Sequence, residues 1–92
     1  DYIALSFVRS ARDVQDLRDR IQKTGKSIPI ISKVERASAL DHIEEIVEAS
    51  EAVMIARGDL GLELPLERVP SAQKLIIEES NYRGTPVITA TQ

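Results

Sequence analysis

The chain has 92 residues, no cysteine, only three aromatic side chains (two Tyr and one Phe) and a formal net charge of −3. That length supports one modest domain with a real core, and the lack of cysteine excludes disulfides and thiolate metal sites. The acidic balance and scarce aromatics argue against nucleic acid or an anionic membrane as partner, and no apolar run approaches the roughly 20 residues of a membrane span.

The elements follow in a regular rhythm. Residues 2–8 (YIALSFV) form a short apolar run read as a strand. Ser10 stands three residues before Asp13, a capping-box-like start with Asp in place of Glu or Gln. Val14, Leu17 and Ile21 then recur at helical spacing, so residues 11–25 predict an amphipathic helix stopped by Gly25. Residues 28–35 (IPIISKVE) predict a second strand, with Pro29 tolerable near its start. Residues 38–50 predict a second helix with Leu40, Ile43, Ile46 and Val47 on one side, and residues 52–56 (AVMIA) a third strand. The stretch RGDLGLELP reads as a loop. Residues 69–84 predict a third helix, with Ala72, Leu75 and Ile76 as its apolar stripe and Gly84 as its C-cap; residues 85–92 (TPVITATQ) predict a fourth strand.

Strands alternating with helices predict an α/β fold with a parallel sheet and right-handed crossovers. Four strands and three helices are about half of a TIM (β/α)8 barrel, which takes about 250 residues. A small open doubly wound sheet is the alternative, but G-x-G-x-x-G is missing after the first strand. The chain opens on Asp1-Tyr2-Ile3 and stops on Thr91-Gln92, and both ends read as cuts.

Sites of parallel α/β folds form at the C-terminal ends of the strands. Those ends carry Ser6, Lys33 and Glu35, Arg57, Gly58 and Asp59, then Thr89 and Thr91, which are expected on one rim. Lys33 and Glu35 are two apart and project to the same side of their strand. Such a pair is either an interior ion pair or a holder of something else. Asp59 alone could be a solvated turn aspartate, or part of an Arg-Gly-Asp adhesion tripeptide, which occurs by chance in many proteins. Glu35 and Asp59 at adjacent strand ends, with a lysine nearby, suit a hard divalent cation such as magnesium. Gly58 leaves its peptide N–H unshielded, and a helical turn starting at Asp59 would aim N–H groups at an anion. His42 receives no role. The acidic face of Glu44, Glu45, Glu48 and Glu51 is read as solvated, as are Arg68, Lys74 and Arg83.

Residues 30–40 (IISKVERASAL) resemble the active-site signature of the pyruvate kinase family, an apolar run leading into S-K-[IV]-E. Residues 54–65 (MIARGDLGLELP) are similar to that family's next strand and loop. TPVITATQ resembles the strand ending A-T-Q, and ALSFVRSARDV the preceding S-F-[IV]-R strand and helix. Four signatures in register over the full length are far more specific than any one. The resemblance implies that Lys33 is the catalytic lysine, neutralising the phosphoryl group in flight and the enolate oxygen. It implies that Glu35 and Asp59 hold a divalent metal, Mg2+ or Mn2+. Gly58 and Asp59 would receive the substrate carboxylate, and Thr91 would lie beside that carboxylate and the proton-transfer face. The implied reaction is phosphoenolpyruvate and ADP to pyruvate and ATP, the last step of glycolysis, in a cytoplasmic protein whose relatives are often tetramers.

After Glu35 the sequence carries Arg36-Ala37-Ser38-Ala39 where many relatives have Asn and then a Gly, a bacterial-type variant that touches no ligand. The family's early strands, with a phosphate-binding arginine and the K+ ligands, its lid domain and its C-terminal domain are expected outside residues 1–92. The isolated segment is expected to be inactive or only marginally folded, since open sheet edges remain. The runner-up is a metal-dependent aldolase or lyase on the same barrel, which typically carries Gln two before the Glu and a G-x-x-D-L-S-like turn. A non-catalytic module would be expected to lack at least one of Lys33, Glu35, Asp59 or Thr91.

Overall fold

A computed structural model describes residues 1–90. Four strands, β1 (Ile3–Leu5), β2 (Ile30–Val34), β3 (Ala52–Ala56) and β4 (Val87–Ala90), form one sheet in the order β1-β2-β3-β4. Every neighbouring pair is parallel, so each connection must cross back over the sheet. Helices α1 (Ala11–Lys23), α2 (Ile43–Ala49), α3 (Arg57–Glu63) and α4 (Val69–Arg83) supply those crossovers. This is the parallel β/α segment expected of half a TIM barrel.

The strand faces differ in a way that fixes where chemistry can occur. Ile30, Ser32 and Val34 of β2 and Val53 and Ile55 of β3 are fully buried. The apolar four belong to one core with Val14 and Ile21 of α1, Ile43, Ile46 and Val47 of α2, and Ile76 of α4. By the alternation of strand side chains, Ile31 and Lys33 lie on the other face, where Lys33 stands in register with Met54 and Met54 with Ile88. Ile88 is 41% exposed. A closed barrel would turn this face inward.

Several boundaries are shorter than expected. Strand β1 ends at Leu5 rather than Val8, because Phe7 takes φ 56°, outside the range of extended backbone. The second helix begins as a 3-10 segment, Ala37–His42, before becoming α-helical at Ile43. The helix count also rises from three to four: the RGDLGLE stretch, expected as a loop, forms α3. Fully buried Leu60 gives that segment its tertiary anchor, and this overrides the poor helix propensity of its glycines.

Helix ends follow the sequence signals more closely. Gly84 caps α4 at φ 71°, with its N–H donating to Asn81 O, and no atom of the described residues crowds the place a Cβ would take. At the start of α1, Ser10 is the N-cap residue but makes no side-chain cap bond. Asp13 turns outward, accepting from the Arg9 N–H at 2.9 Å and pairing with its guanidinium at 3.2 Å. The Arg9 side-chain hydrogen bond, with its main-chain one, holds the Asp13 carboxyl below the usual carboxylate range. Glu51, expected to be merely solvated, accepts from the Ile30 N–H at 2.8 Å and pairs with Arg18 at 3.0 Å. Arg83 likewise bridges Glu79 and Glu48.

Candidate functional site

The exit of β2 is where charge enters the interior. Glu35 directly follows β2 and is only 5% exposed. A buried carboxylate is costly unless its oxygens find donors. One oxygen, Oε2, accepts from the main-chain N–H of Phe7 at 2.6 Å. The other, Oε1, lies 3.5 Å from Lys33 Nζ. Lys33 Nζ also lies 3.5 Å from Ser6 Oγ. The contact to Ser6 is at the long limit of a hydrogen bond and the ion pair to Glu35 is loose, so the ammonium is steered toward the β1 and β2 exits without being saturated. The Lys33 side chain remains 29% exposed and accessible to an anion.

Strand β3 delivers the second group. Val34 of β2 pairs with Ile55 of β3, so the two strands end side by side. The chain then turns directly into α3, whose first three residues are Arg57, Gly58 and Asp59. The helix thus begins two residues earlier than the turn expected at Asp59. Asp59 is exposed and makes no hydrogen bond or ion pair among the described residues. Among the described residues its carboxylate has no partner, where Glu35 is pinned.

Ser6, Lys33 and Glu35 are therefore brought together, and Gly58 and Asp59 follow the adjacent strand. Thr89 is different: it pairs with Ile55, and by alternation it belongs to the helix-side face rather than that of Lys33. Thr91 lies outside the described residues. Among the described residues, no three His, Asp or Glu side chains gather as a metal cage. Glu35 and Asp59 offer oxygen donors only. Such a set fits magnesium or manganese, which accept one or two protein carboxylates and leave other positions for substrate oxygens. His42 lies on the helix side, 3.5 Å from Glu45 through Nδ1.

Sequence reasoning missed two contributors. Phe7 acts through its main chain, which no side-chain pattern announces. Glu63, the last residue of α3, accepts from the Ala37 N–H at 2.6 Å through Oε1 and pairs with Arg36 Nε at 3.2 Å through Oε2. Its spacing of four from Asp59, one helical turn, was the available signal.

Lys33 and the buried Glu35 stand at the exit of one parallel strand and Asp59 just past the next, on a segment of a parallel β/α fold. The family model described as "Pyruvate kinase, barrel domain" matches residues 1–92. The chain is 52% identical over its whole length to a pyruvate kinase of Thermotoga maritima, covering 20% of that protein. Against pyruvate kinases of Dictyostelium discoideum and Mycobacterium tuberculosis the identities are 49% and 50%, again over the whole chain, covering 18% and 20% of those proteins. This chain belongs to the pyruvate kinase family. It spans no more than about a fifth of the length of these curated relatives.

Proposed function

We propose that the protein carrying this segment transfers the phosphoryl group of phosphoenolpyruvate to ADP, giving pyruvate and ATP, as the last step of glycolysis. The observation that carries this reading is Lys33 Nζ poised 3.5 Å from both Ser6 Oγ and the buried Glu35. A partly exposed ammonium there can offset the charge of a phosphoryl group as its P–O bond to the enol oxygen breaks and a new one to ADP forms. When that bond breaks, negative charge passes to the enolate oxygen, which Lys33 can also hold. Protonation at the enolate carbon then gives pyruvate. Catalysis of this kind is positioning plus charge neutralisation.

Glu35 and Asp59 would hold Mg2+ or Mn2+, whose chemistry here is to neutralise charge on substrate oxygens. The 2.6 Å bond from Phe7 fixes the rotamer of Glu35, while Asp59 has no partner among the described residues to compete with a cation. The main chain at Gly58 and Asp59 would receive the substrate carboxylate. Thr91 would stand beside that carboxylate, on the side where the proton is delivered. A K+ site, a nucleotide lid and a C-terminal domain would come from the rest of the protein, which we place in the cytoplasm as a homotetramer. Among the described residues no helix is long and apolar enough to cross a membrane. The isolated segment would be inactive or only marginally folded, since the nucleotide lid and the phosphate-binding arginine would come from the rest of the protein and open sheet edges remain.

The test is ATP formation from phosphoenolpyruvate and ADP with magnesium in the full-length protein, beside Lys33→Met and Glu35→Gln. Activity lost in both variants supports the assignment. No ATP from a well-folded parent would reject it.

A further inference from the structure

The two proposed metal ligands belong to different β/α units, so something must set their separation. Helix α3, which carries Asp59, cannot do this by itself. It has seven residues, two of them glycine, and its N-cap Ala56 makes no side-chain cap bond. A helix this short is not stable in isolation. Its C-terminal residue supplies the tether. Glu63 stands one turn beyond Asp59 on the same face, and both of its oxygens are used. Oε1 accepts from the Ala37 N–H at 2.6 Å across 26 residues of sequence. Oε2 pairs with Arg36 Nε at 3.2 Å. Arg36 and Ala37 are the two residues that follow Glu35. Among the described residues, no other hydrogen bond or ion pair joins α3 to the exit of β2.

We infer that Glu63 is a positioning residue: by clamping the end of α3 to the main chain just after Glu35, it fixes Asp59 relative to Glu35 and thereby sets the affinity for the divalent cation. The hydrogen bond to Ala37 is the dominant contact, since Arg36 is 53% exposed and a solvated ion pair contributes little. This inference rests on the proposed Glu35–Asp59 cation site.

The experiment is a Mn2+ titration of the full-length protein, followed by electron paramagnetic resonance, with circular dichroism confirming the fold. Glu63→Leu removes both contacts and is expected to weaken Mn2+ binding 10- to 100-fold, the scale for losing an outer-sphere partner. Glu63→Gln keeps an acceptor for Ala37, and Arg36→Met removes only the ion pair; both are expected within about fivefold of the parent. Glu63→Asp retains the charge but is one methylene too short, and is expected to bind more weakly than Glu63→Gln. That comparison carries the test should the leucine variant not fold. Parent-like affinity in Glu63→Leu or Glu63→Asp overturns the inference, as does equal loss in Glu63→Gln and Glu63→Leu. Glu35→Gln separates the two levels: undiminished Mn2+ binding there rejects the cation site itself, whereas loss there with a parent-like Glu63→Leu rejects only the clamp.

Discussion

The main-chain N–H of Phe7 donates to Glu35 Oε2 at 2.6 Å, and it does so from a backbone held at φ 56°. A non-glycine residue in the left-handed region costs on the order of 1–2 kcal/mol. The cost is tolerated where it turns the chain out of β1 and presents a donor to a buried carboxylate. Phe7→Gly keeps the donor and removes the steric penalty, so its stability is expected within about 1 kcal/mol of the parent. Phe7→Pro removes the donor and demands a φ near −65°, and should cost about 3 kcal/mol or more. Urea unfolding of both variants checks this, and a proline variant as stable as the parent would contradict it.

Ser80 sits in α4 fully buried, and its Oγ has no hydrogen-bond partner among the described residues. Leaving a hydroxyl unsatisfied in the core carries a desolvation cost of about 1–3 kcal/mol. Ser80→Ala removes that group with almost no change of volume. The expected outcome is a variant more stable by about 1 kcal/mol in urea unfolding; a clear loss of stability would count against it.

Gly84 closes α4 at φ 71°, and no atom of the described residues stands within 4 Å of where a Cβ would be. Any penalty for alanine there is therefore one of backbone conformation rather than collision. Gly84→Ala should destabilise by about 1 kcal/mol. Unchanged stability would show that the left-handed cap is dispensable.

Asp13 has its folded-state pKa lowered by the side-chain hydrogen bond from Arg9. Its contribution to stability is therefore fully present above the ordinary aspartate value of about 3.9 and is lost as the pH falls through the lowered folded value. The stability difference between parent and Asp13→Asn should be constant near neutrality and shrink on acidification below about pH 4. Arg9 is 74% exposed, so added salt should also shrink it. Unfolding midpoints across pH and salt read both effects.

Much of the fold is legible because apolar periodicity and helix stops speak locally. β3 at Ala52–Ala56 and α4 at Val69–Arg83 follow their residue patterns. That Lys33 and Glu35 share one side follows from strand alternation, and the structure sets them 3.5 Å apart. The misses have a different origin. Phe7 leaves β1 early because a donor is needed by a carboxylate 28 residues away, and no local pattern encodes that. The glycines of RGDLGLE argue for a loop, yet burial of Leu60 and the Glu63 contacts to Arg36 and Ala37 make it a helix. Glu51 and Arg83 look like surface charges until the elements that they join are packed together.

The central claim is that Asp59 and Glu35 hold the divalent cation of a phosphoryl transfer, and Asp59 allows the cleaner test. Exposed and without a protein hydrogen bond among the described residues, it can become asparagine without loss of packing. ATP formation from phosphoenolpyruvate and ADP should be followed across magnesium concentration in the full-length protein and in Asp59→Asn. The account predicts a fall in kcat/KM of at least about 100-fold, the scale of removing one electrostatic stabiliser, with a raised magnesium requirement. An asparagine variant with the activity and magnesium dependence of the parent would contradict it.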